Sequence, residues 1–343
     1  MLVVLAHLHG VERKYCTTDH MLPFEHGALG IDLFFVISGI VIASVTTDKF
    51  GSTRNAVIFL YHRLARIFPI FWIYTTITLI ARSFNPLATA TAPEHPVNIL
   101  ASYLLIPTHL PMLLLQGWTL TYELYFYLVF FLLLFAPQRI APWLLTLWGI
   151  AVVGLKLQTG LSPHTLIHVV INPTVLEFLA GCLLFHLYRR FRLPRAAGIL
   201  ILLAAFLWLA AVVGYGSHAH PGQPTWIQAD PWLKIFLYGT FATLLLLGAI
   251  ELERTALIRY FPLLASIGDW SYSIYLSHLL VLELTGRLAF RILPHHTNSI
   301  LIITLIGLPT TIVVGYLSYT YLERPLITRL YEPTQRQPAI SMK

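Results

Sequence analysis

The sequence predicts an all-α fold, a polytopic transmembrane helical bundle. Of its 343 residues, 57% are hydrophobic and 11% are charged, and the mean hydropathy is +0.73, whereas an ordinary soluble domain carries about 25% charged residues. Apolar runs recur along the chain with short polar connections, many of them long enough to cross a hydrocarbon core of about 30 Å. Because the bilayer interior offers no water, the backbone of such runs must satisfy its own hydrogen bonds as helix.

Ten apolar segments are the predicted spans. They are Leu2–Leu8, Leu29–Val45, Ile67–Ile80, Trp118–Phe135, Trp143–Leu157, Val175–Leu187, Ala197–Val213, Leu233–Ile250, Leu263–Leu284 and Ile300–Tyr321. A further apolar stretch, Val97–Leu115, contains Pro107 and Pro111, which favour a re-entrant or surface-lying piece. An eleventh span there is the open alternative.

Basic residues cluster in three connections between the spans, which predicts the orientation. Because cytoplasmic loops are enriched in Lys and Arg, these connections and both termini are expected in the cytoplasm. The net charge of +7 is then a consequence of topology and does not indicate nucleic-acid binding. The clusters are Lys49, Arg54, Arg63 and Arg66; Arg189, Arg190, Arg192 and Arg195; and Arg254 and Arg259. The expected outer loops lie around Cys16–His26, Asn85–His95, Ser162–Asn172, Gly216–Asp230 and Leu293–Ser299.

The first apolar segment is short. Leu2–Leu8 rises about 10 Å as helix, a third of the hydrocarbon thickness, and it lacks the basic start and cleavage site of a signal peptide. We therefore expect residues upstream of Met1 that supply about ten more apolar positions.

One membrane domain is predicted over residues 1–325, followed by a short cytoplasmic tail, 326–343. Cys16 lies in a predicted loop and Cys182 in an apolar run, so we predict no disulfide between them. The sequence contains no metal-binding cluster, P-loop or dinucleotide motif. No bound metal or cofactor is expected.

Ionisable side chains inside the spans are few. Each is a functional hypothesis, because such a group costs several kcal/mol in the membrane unless it has a partner or faces a cavity. They are His7, Asp32, Glu123, Glu177 and His278, with Arg63 and Arg66 at the inner mouth of the third span.

Six short motifs carry these groups in a fixed order. They are VVLAH ending at His7, GIDLFFVISG from Gly30, RLAR from Arg63, WTLTYE from Trp118, SYSIYLSH from Ser271, and ERP from Glu323. In this order the chain resembles the acyltransferase family 3 membrane proteins, which O-acylate bacterial surface polysaccharides, lipopolysaccharide O-antigen, Nod factors and some antibiotics. The family's usual opening Leu-Arg motif does not precede His7, and Thr119 and Thr121 stand where serines are commoner.

The resemblance implies two catalytic residues. His7 is the expected general base, since a neutral imidazole can take the acceptor hydroxyl's proton near neutral pH; the alternative is a buried histidine bonded to a neighbouring helix. Glu123 is expected to orient or stabilise the resulting imidazolium. Its alternative is a packing partner for a Tyr or Arg.

The resemblance also implies substrate-binding residues. Arg63 and Arg66 lie on one helix face and are expected to bind the phosphates of acyl-CoA, although arginines at an inner helix end also follow from the positive-inside rule. Further substrate-binding candidates are Asp32, Trp118, Ser271 and His278, for which helix packing and ordinary polar contacts are the alternatives. Three features are interpreted as structural: Ser38-Gly39, Glu177 and the Glu323-Arg324-Pro325 ending.

The sequence thus predicts a multi-pass O-acyltransferase of the bacterial inner membrane. It moves an acyl group, expected to be acetyl, from cytoplasmic acyl-CoA to a hydroxyl of a cell-surface or exported glycan or glycolipid. Acyl-CoA is a substrate, and lipid and the acceptor are the expected partners. A secondary transporter or flippase is the rival, since it too buries His, Asp and Glu, but the sequence shows no inverted repeat or paired half-helices.

Overall fold

The computed structural model describes residues 1–15, 23–84, 96–158, 166–219, 227, 230–257, 261–292 and 303–335. These residues form helices and their connections, without a β-strand, which confirms the all-α prediction. The helices are α1 (Leu2–Tyr15), α2 (Leu29–Thr46), α3 (Thr53–Phe84), α4 (Ile99–Leu104), α5 (Gly117–Leu133), α6 (Ala141–Gln158), α7 (Leu166–Val170), α8 (Val175–Arg190), α9 (Arg195–Ala219), α10 (Pro231–Lys234), α11 (Thr240–Arg254), α12 (Pro262–Asp269), α13 (Ser271–Ile292), α14 (Leu308–Ser318) and α15 (Arg324–Gln335).

Seven helical segments of the described chain are long and apolar enough to cross a membrane. They are His26–Thr46, Thr53–Phe84, Gln138–Gln158, Leu166–Arg190, Arg195–Gly216, Pro231–Arg254 and Thr304–Glu332, with shorter apolar helices at Leu2–Val11 and Gly117–Leu133. The chain is therefore an integral membrane protein. The count of ten spans and the cytoplasmic position of both termini stay predictions.

Two predicted spans differ in length from the helices that contain them. Helix α1 continues past Leu8 to Tyr15, 14 residues in all, because Lys14 and Tyr15 bind the Glu283 carboxylate at 2.8 Å each. Helix α3 begins at Thr53 and has 32 residues, about 48 Å. The two arginines of the RLAR motif therefore lie inside α3 and not at its start, and their place at the inner mouth of the third span stays a prediction.

One further predicted span is divided in the structure, and the stretch Val97–Leu115 lacks the continuous helix that an eleventh span would need. The predicted span Leu263–Leu284 is divided at Trp270 into α12 and α13, and α13 continues to Ile292. The stretch Val97–Leu115 contains only the six-residue α4. After α4 the chain turns at Leu105, whose φ is +55°, so this stretch is not one continuous helix.

The chain divides into two compact units. The first unit comprises Met1–Gly10, His20–Phe50 and Ala136–Pro262, and the second comprises Val11–Asp19, Gly51–Phe135 and Leu263–Lys343. The prediction of one domain over 1–325 stays a prediction. Cys182 is buried in the first unit, and Cys16 lies outside the described residues.

Two glycines let α2 and α8 pack against each other in the first unit. A Cβ atom on Gly181 would overlap the Val36 carbonyl oxygen and lie 3.0 Å from the Gly39 Cα, and a Cβ on Gly39 would lie 3.0 Å from the Cys182 amide nitrogen. Backbone meets backbone here, as is common where membrane helices approach closely. The Ser38-Gly39 pair thus has the close-approach role expected for it.

Replacing Gly181 by alanine is expected to destabilise the first unit by about 1–3 kcal/mol, because the added methyl meets backbone that must shift. Thermal unfolding of the purified protein in detergent measures the loss. Gly154→Ala on α6 is the matched control, since a Cβ there meets nothing within 4 Å. Equal stability of the two variants would contradict the packing described.

Two predicted cytoplasmic connections lie at one end of the first unit. Arg254, at the end of α11, donates to the Phe191 carbonyl at 2.8 Å and lies 4.4 Å from the centre of the Tyr188 ring. Arg195 reaches the Thr255 carbonyl at 3.4 Å. The basic residues after α8 and at the end of α11 are therefore neighbours, as a shared membrane side requires.

In the second unit, α3 packs on α5 and α13 packs on α14. The buried face of α3 includes Phe59, Ile67, Ile70 and Tyr74, which recur at helical spacing. Pro69 lies within the helix and removes one backbone hydrogen bond just after Arg66. The RLAR motif therefore lies beside a weakened turn of α3.

Candidate active site

Arg63 and Arg66 project from one face of α3 into a group of aromatic and acidic side chains. The Arg63 guanidinium lies 5.7 Å from the ring centres of both Phe59 and Tyr127. The Arg66 guanidinium lies 5.7 Å from the centre of the Tyr272 ring. The i, i+3 spacing places the two guanidinium groups side by side, as the sequence predicts.

Glu323 is the acidic partner of Arg66. Its Oε1 lies 2.7 Å from Arg66 Nη1, and the carboxylate is fully buried while the Arg66 side chain remains 36% exposed. Its Oε2 accepts a hydrogen bond from the Ser273 hydroxyl at 2.6 Å. Glu323 ends a π-helical turn, Tyr319–Glu323, a local widening that often marks functional sites in helices. The carboxylate thus contacts one guanidinium nitrogen of Arg66, and the Arg66 side chain remains partly exposed.

Glu123 lies near Arg63 and Arg66 in the second unit. Its buried carboxylate accepts a short hydrogen bond from the Tyr127 hydroxyl one turn further along α5. The ring of Tyr127 in turn faces Arg63, and the charges of both arginines act on Glu123. We call Arg63, Arg66, Glu123 and Glu323 the arginine–carboxylate cluster.

The start of α5 is fixed by hydrogen bonds to α13. The Thr119 hydroxyl lies 2.6 Å from the Tyr275 hydroxyl, and Gln116 donates to the Tyr275 carbonyl at 3.2 Å. The Thr121 hydroxyl donates to the Leu105 carbonyl at 3.0 Å. Both threonine hydroxyls of the WTLTYE motif therefore have structural partners, which explains why a threonine can stand in place of serine.

The remaining predicted substrate-binding residues of the second unit differ in exposure. Trp118 is 40% exposed and packs edge-on against Tyr122 at 6.1 Å. Ser271 is exposed at the first position of α13. His278 is fully buried, with its Nδ1 at 2.6 Å from the Tyr275 carbonyl. Within this motif the serine that contacts the arginine–carboxylate cluster is Ser273.

The arginine–carboxylate cluster balances two guanidinium groups with two carboxylates. Such balance lets buried charges persist, because an unpaired charge in a low-dielectric interior is costly. Guanidinium groups bind phosphate oxygens through paired N–H donors. The exposed part of Arg66 therefore offers a place for a phosphate group.

His7 and Asp32 belong to the first unit, where two glycines bring their helices together. A Cβ on Gly30 would lie 3.0 Å from the Leu2 Cβ, and one on Gly27 would lie 2.9 Å from the Ala6 Cβ. His7 follows Ala6 directly and is half-buried. Because His7 and Glu123 fall in different units, their pairing stays a prediction.

Asp32 is fully buried and forms an ion pair with Lys234, whose Nζ lies 2.8 Å from Oδ1. Phe35 beside it is also fully buried, and Phe34 is 36% exposed. Helix packing, and not a role in substrate binding, therefore accounts for the burial of Phe35. Asp32 as a substrate-binding residue stays a prediction, and its immediate partner is the lysine.

A family model described as an acyltransferase domain matches residues 1–320. The chain belongs to acyltransferase family 3. The match covers the first five motifs and ends before the ERP motif. Membership of the family assigns acyl transfer as the type of reaction.

Named relatives agree with this assignment. This acyltransferase is 30% identical over 322 residues to the exopolysaccharide production protein ExoZ of Rhizobium meliloti (strain 1021), covering 89% of this chain and 91% of that protein. It is 23% identical over 335 residues to a candidate O-acetyltransferase of Staphylococcus aureus (strain COL), and equally to its counterpart in strain MSSA476. The chain spans about half the length of these staphylococcal relatives, 52%. No solved structure matches it significantly.

Sequence reasoning found part of this acyltransferase's cluster and missed the rest. It placed Arg63 and Arg66 on one helix face, but it paired Glu123 with His7, whereas the structure places Glu123 against Tyr127 and near the two arginines. It gave Glu323 only a structural role and did not single out Tyr127, Tyr272 or Ser273. The ERP motif was the available signal for Glu323, but nothing in its spacing predicts a partner on α3.

Proposed function

We propose that this acyltransferase is a multi-pass O-acyltransferase of the bacterial inner membrane. It transfers an acyl group, acetyl in the first instance, from acyl-CoA to a hydroxyl group of a cell-surface or exported glycan or glycolipid. The acetyl donor and glycan acceptor are suggested by the relatives, one named for exopolysaccharide production and others for O-acetyl transfer.

The arginine–carboxylate cluster is the observation that supports acyl-CoA as the donor. Coenzyme A carries a diphosphate and a 3′-phosphate, and a fork of guanidinium N–H groups is the side chain best suited to bind them. Arg66 is held by Glu323 from one side and is open on the other. That arrangement presents a preoriented cation to an incoming phosphate.

His7 is proposed as the general base. It takes the proton from the acceptor hydroxyl while the hydroxyl oxygen attacks the thioester carbonyl. The C–S bond then breaks, the acyl group becomes an oxygen ester, and the CoA thiolate leaves and takes up a proton. Glu123 is proposed to stabilise positive charge during transfer.

Donor use separates this function from transport. Purified protein incubated with acetyl-CoA and surface polysaccharide that has been de-O-acylated by alkali is expected to release free CoA thiol. Labelled acetyl should appear in the polysaccharide in equal amount. A transporter or flippase would leave acetyl-CoA intact, so absence of thiol release from folded protein would refute the proposal.

Glu323→Gln is expected to raise the KM for acyl-CoA while changing kcat less, because the carboxylate positions Arg66 without touching the reacting atoms. Hydrogen bonds to charged groups contribute about 1.5–3 kcal/mol, so a rise of roughly tenfold or more is expected. Glu323→Asp should recover part of the loss. Glu332→Gln, an exposed carboxylate on α15, is the control, and an equal KM in the two Gln variants would contradict the positioning role.

A further inference from the structure

A second group of buried charges lies in the first unit, away from its basic end. Asp32, Glu177 and Lys234 lie near the N-terminal ends of α2, α8 and the helical segment Pro231–Arg254. Arg189, Arg190 and Arg254 lie at the opposite ends of α8 and α11. We call Asp32, Glu177 and Lys234 the Asp32 cluster.

Glu177 is the member of this cluster whose carboxylate receives no hydrogen bond from the described residues. Its side chain is 2% exposed, and no N–H or O–H group of the described residues donates to either carboxylate oxygen. Lys234 forms its 2.8 Å ion pair with Asp32. The Asp32 carboxylate lies beside the Glu177 carboxylate and cannot donate when it is ionised, and the single charge of Lys234 acts on both carboxylates.

A cavity of about 250 Å³ opens beside Glu177. A π-helical turn, Ile235–Gly239, forms part of its wall, and a Cβ on Gly239 would come within 3.2 Å of Glu177 Oε1. The glycine therefore lets the widened turn approach the carboxylate. The wall of the cavity includes Glu177, Ile235, Gly239, Thr240, Thr243 and Leu244.

The charges of the Asp32 cluster do not sum to zero. Two carboxylates and one ammonium leave one negative charge in the interior of the unit, where an uncompensated charge is unfavourable. A single added positive charge removes the excess. The cavity supplies a route to Glu177. Thr240 and Thr243 lie on its largely apolar wall, and the Thr243 hydroxyl, which donates to the Gly239 carbonyl at 2.7 Å, keeps oxygen lone pairs of the kind that hard cations prefer.

We propose that the Asp32 cluster and its cavity form a binding site for one exchangeable monovalent positive charge, either an alkali cation or a proton. Glu177 is the residue that receives it. A proton would bridge the Glu177 and Asp32 carboxyl groups, and a sodium ion would occupy the cavity between Glu177 and the threonine hydroxyls. The site lies in the first unit and does not depend on the proposed donor site.

Few other charged or titratable groups lie on the described elements that pack against Glu177. Helix α2 contributes Asp32, and the segment before α11 contributes Lys234 and Tyr238. The Tyr238 hydroxyl lies 2.7 Å from Nδ1 of His26. Helix α6 meets α8 through Gly149 and two leucines, and its one ionisable residue is Lys156.

Thermal unfolding of the full-length protein in nanodiscs tests the proposal. The midpoint is measured as sodium chloride replaces choline chloride at constant ionic strength, and then across alkaline pH in choline chloride alone. If the ion is sodium, the midpoint rises saturably with sodium. If it is a proton, sodium has no effect and the midpoint falls as pH rises, because the folded state holds one more proton than the unfolded state.

Glu177→Gln is expected to lose whichever response the wild type shows, since the amide removes the excess charge. Glu251→Gln is the matched control, because Glu251 is equally buried but paired with Arg254 at 3.3 Å. It should retain the wild-type response. Identical sodium and pH responses in wild type and Glu177→Gln would overturn the proposal.

A measurement on wild-type protein covers the case in which Glu177→Gln does not fold. In sodium-free buffer, an apolar carbodiimide should label Glu177. The carboxylic acid adds across the C=N bond to give an O-acylisourea, whose acyl group then migrates to nitrogen to form a stable N-acylurea, with no atom lost. Peptide mass mapping should show little label on Glu251, and sodium should protect Glu177 only if sodium is the ligand. Equal labelling of the two glutamates, or none at Glu177, would count against the site.

Discussion

Replacing His7 by alanine is expected to abolish acyl transfer while leaving membrane insertion and folding nearly intact. The physical reason is that the acceptor hydroxyl loses the group that takes its proton, which accounts for about 10²–10⁴-fold in rate. Removal of one half-buried imidazole leaves the apolar contacts of α1 in place. Turnover is measured as thiol release per mole of membrane-inserted protein.

His218→Ala provides the control for this loss, because His218 is an exposed histidine of the same unit. It should retain wild-type turnover. A His7→Ala protein that keeps even about a tenth of wild-type turnover, which corresponds to only ~1.4 kcal/mol, would refute the general-base assignment.

Replacing Arg63 or Arg66 by alanine is expected to weaken acyl-CoA use more than acceptor use. Each change removes N–H donors for phosphate, and loss of a hydrogen bond to a charged group costs about 1.5–3 kcal/mol. The KM for acyl-CoA should therefore rise about tenfold or more. Initial rates at varied donor and fixed acceptor, and the reverse, separate the two effects.

Arg66→Lys tests phosphate binding more sharply than Arg66→Ala does. Lys keeps a positive charge beside Glu323 and so protects the fold, but it lacks the planar fork that binds phosphate at two points. It should restore less activity than arginine provides. Arg54→Ala on the same helix is the exposed control, and an unchanged KM for acyl-CoA in both position-63 and position-66 alanine variants would rule out the donor site.

Much of the fold follows from composition, because a bilayer forces apolar chain into helix. The seven long apolar helices coincide with predicted spans for this reason. Helix bounds were harder to predict where tertiary contacts extend a helix. Tyr61 donates to the Leu330 carbonyl and Tyr331 donates to the His62 carbonyl, both at 2.9 Å, so the polar start of α3 is tied to α15 and remains helical beyond its apolar run.

The candidate site was predictable where its parts are close in sequence. Arg63 and Arg66 share a face through their spacing alone. Glu323 contacts Arg66 only through the packing of the second unit. It lies at the end of a π-helical turn, which the spacing of apolar residues does not predict. The same holds for Glu177, which sequence reasoning treated as structural because Asp32 and Lys234 come beside it only through packing of distant parts of the chain.

The most direct test of the account follows both products of one reaction. Purified wild-type protein receives acetyl-CoA labelled in its acetyl group and de-O-acylated surface polysaccharide, with Arg54→Ala and His7→Ala proteins in parallel. The account predicts free CoA thiol and polysaccharide-bound acetyl ester in equal amounts from wild type and Arg54→Ala, and neither from His7→Ala. Intact acetyl-CoA beside protein-dependent passage of the polysaccharide across a vesicle membrane would contradict it.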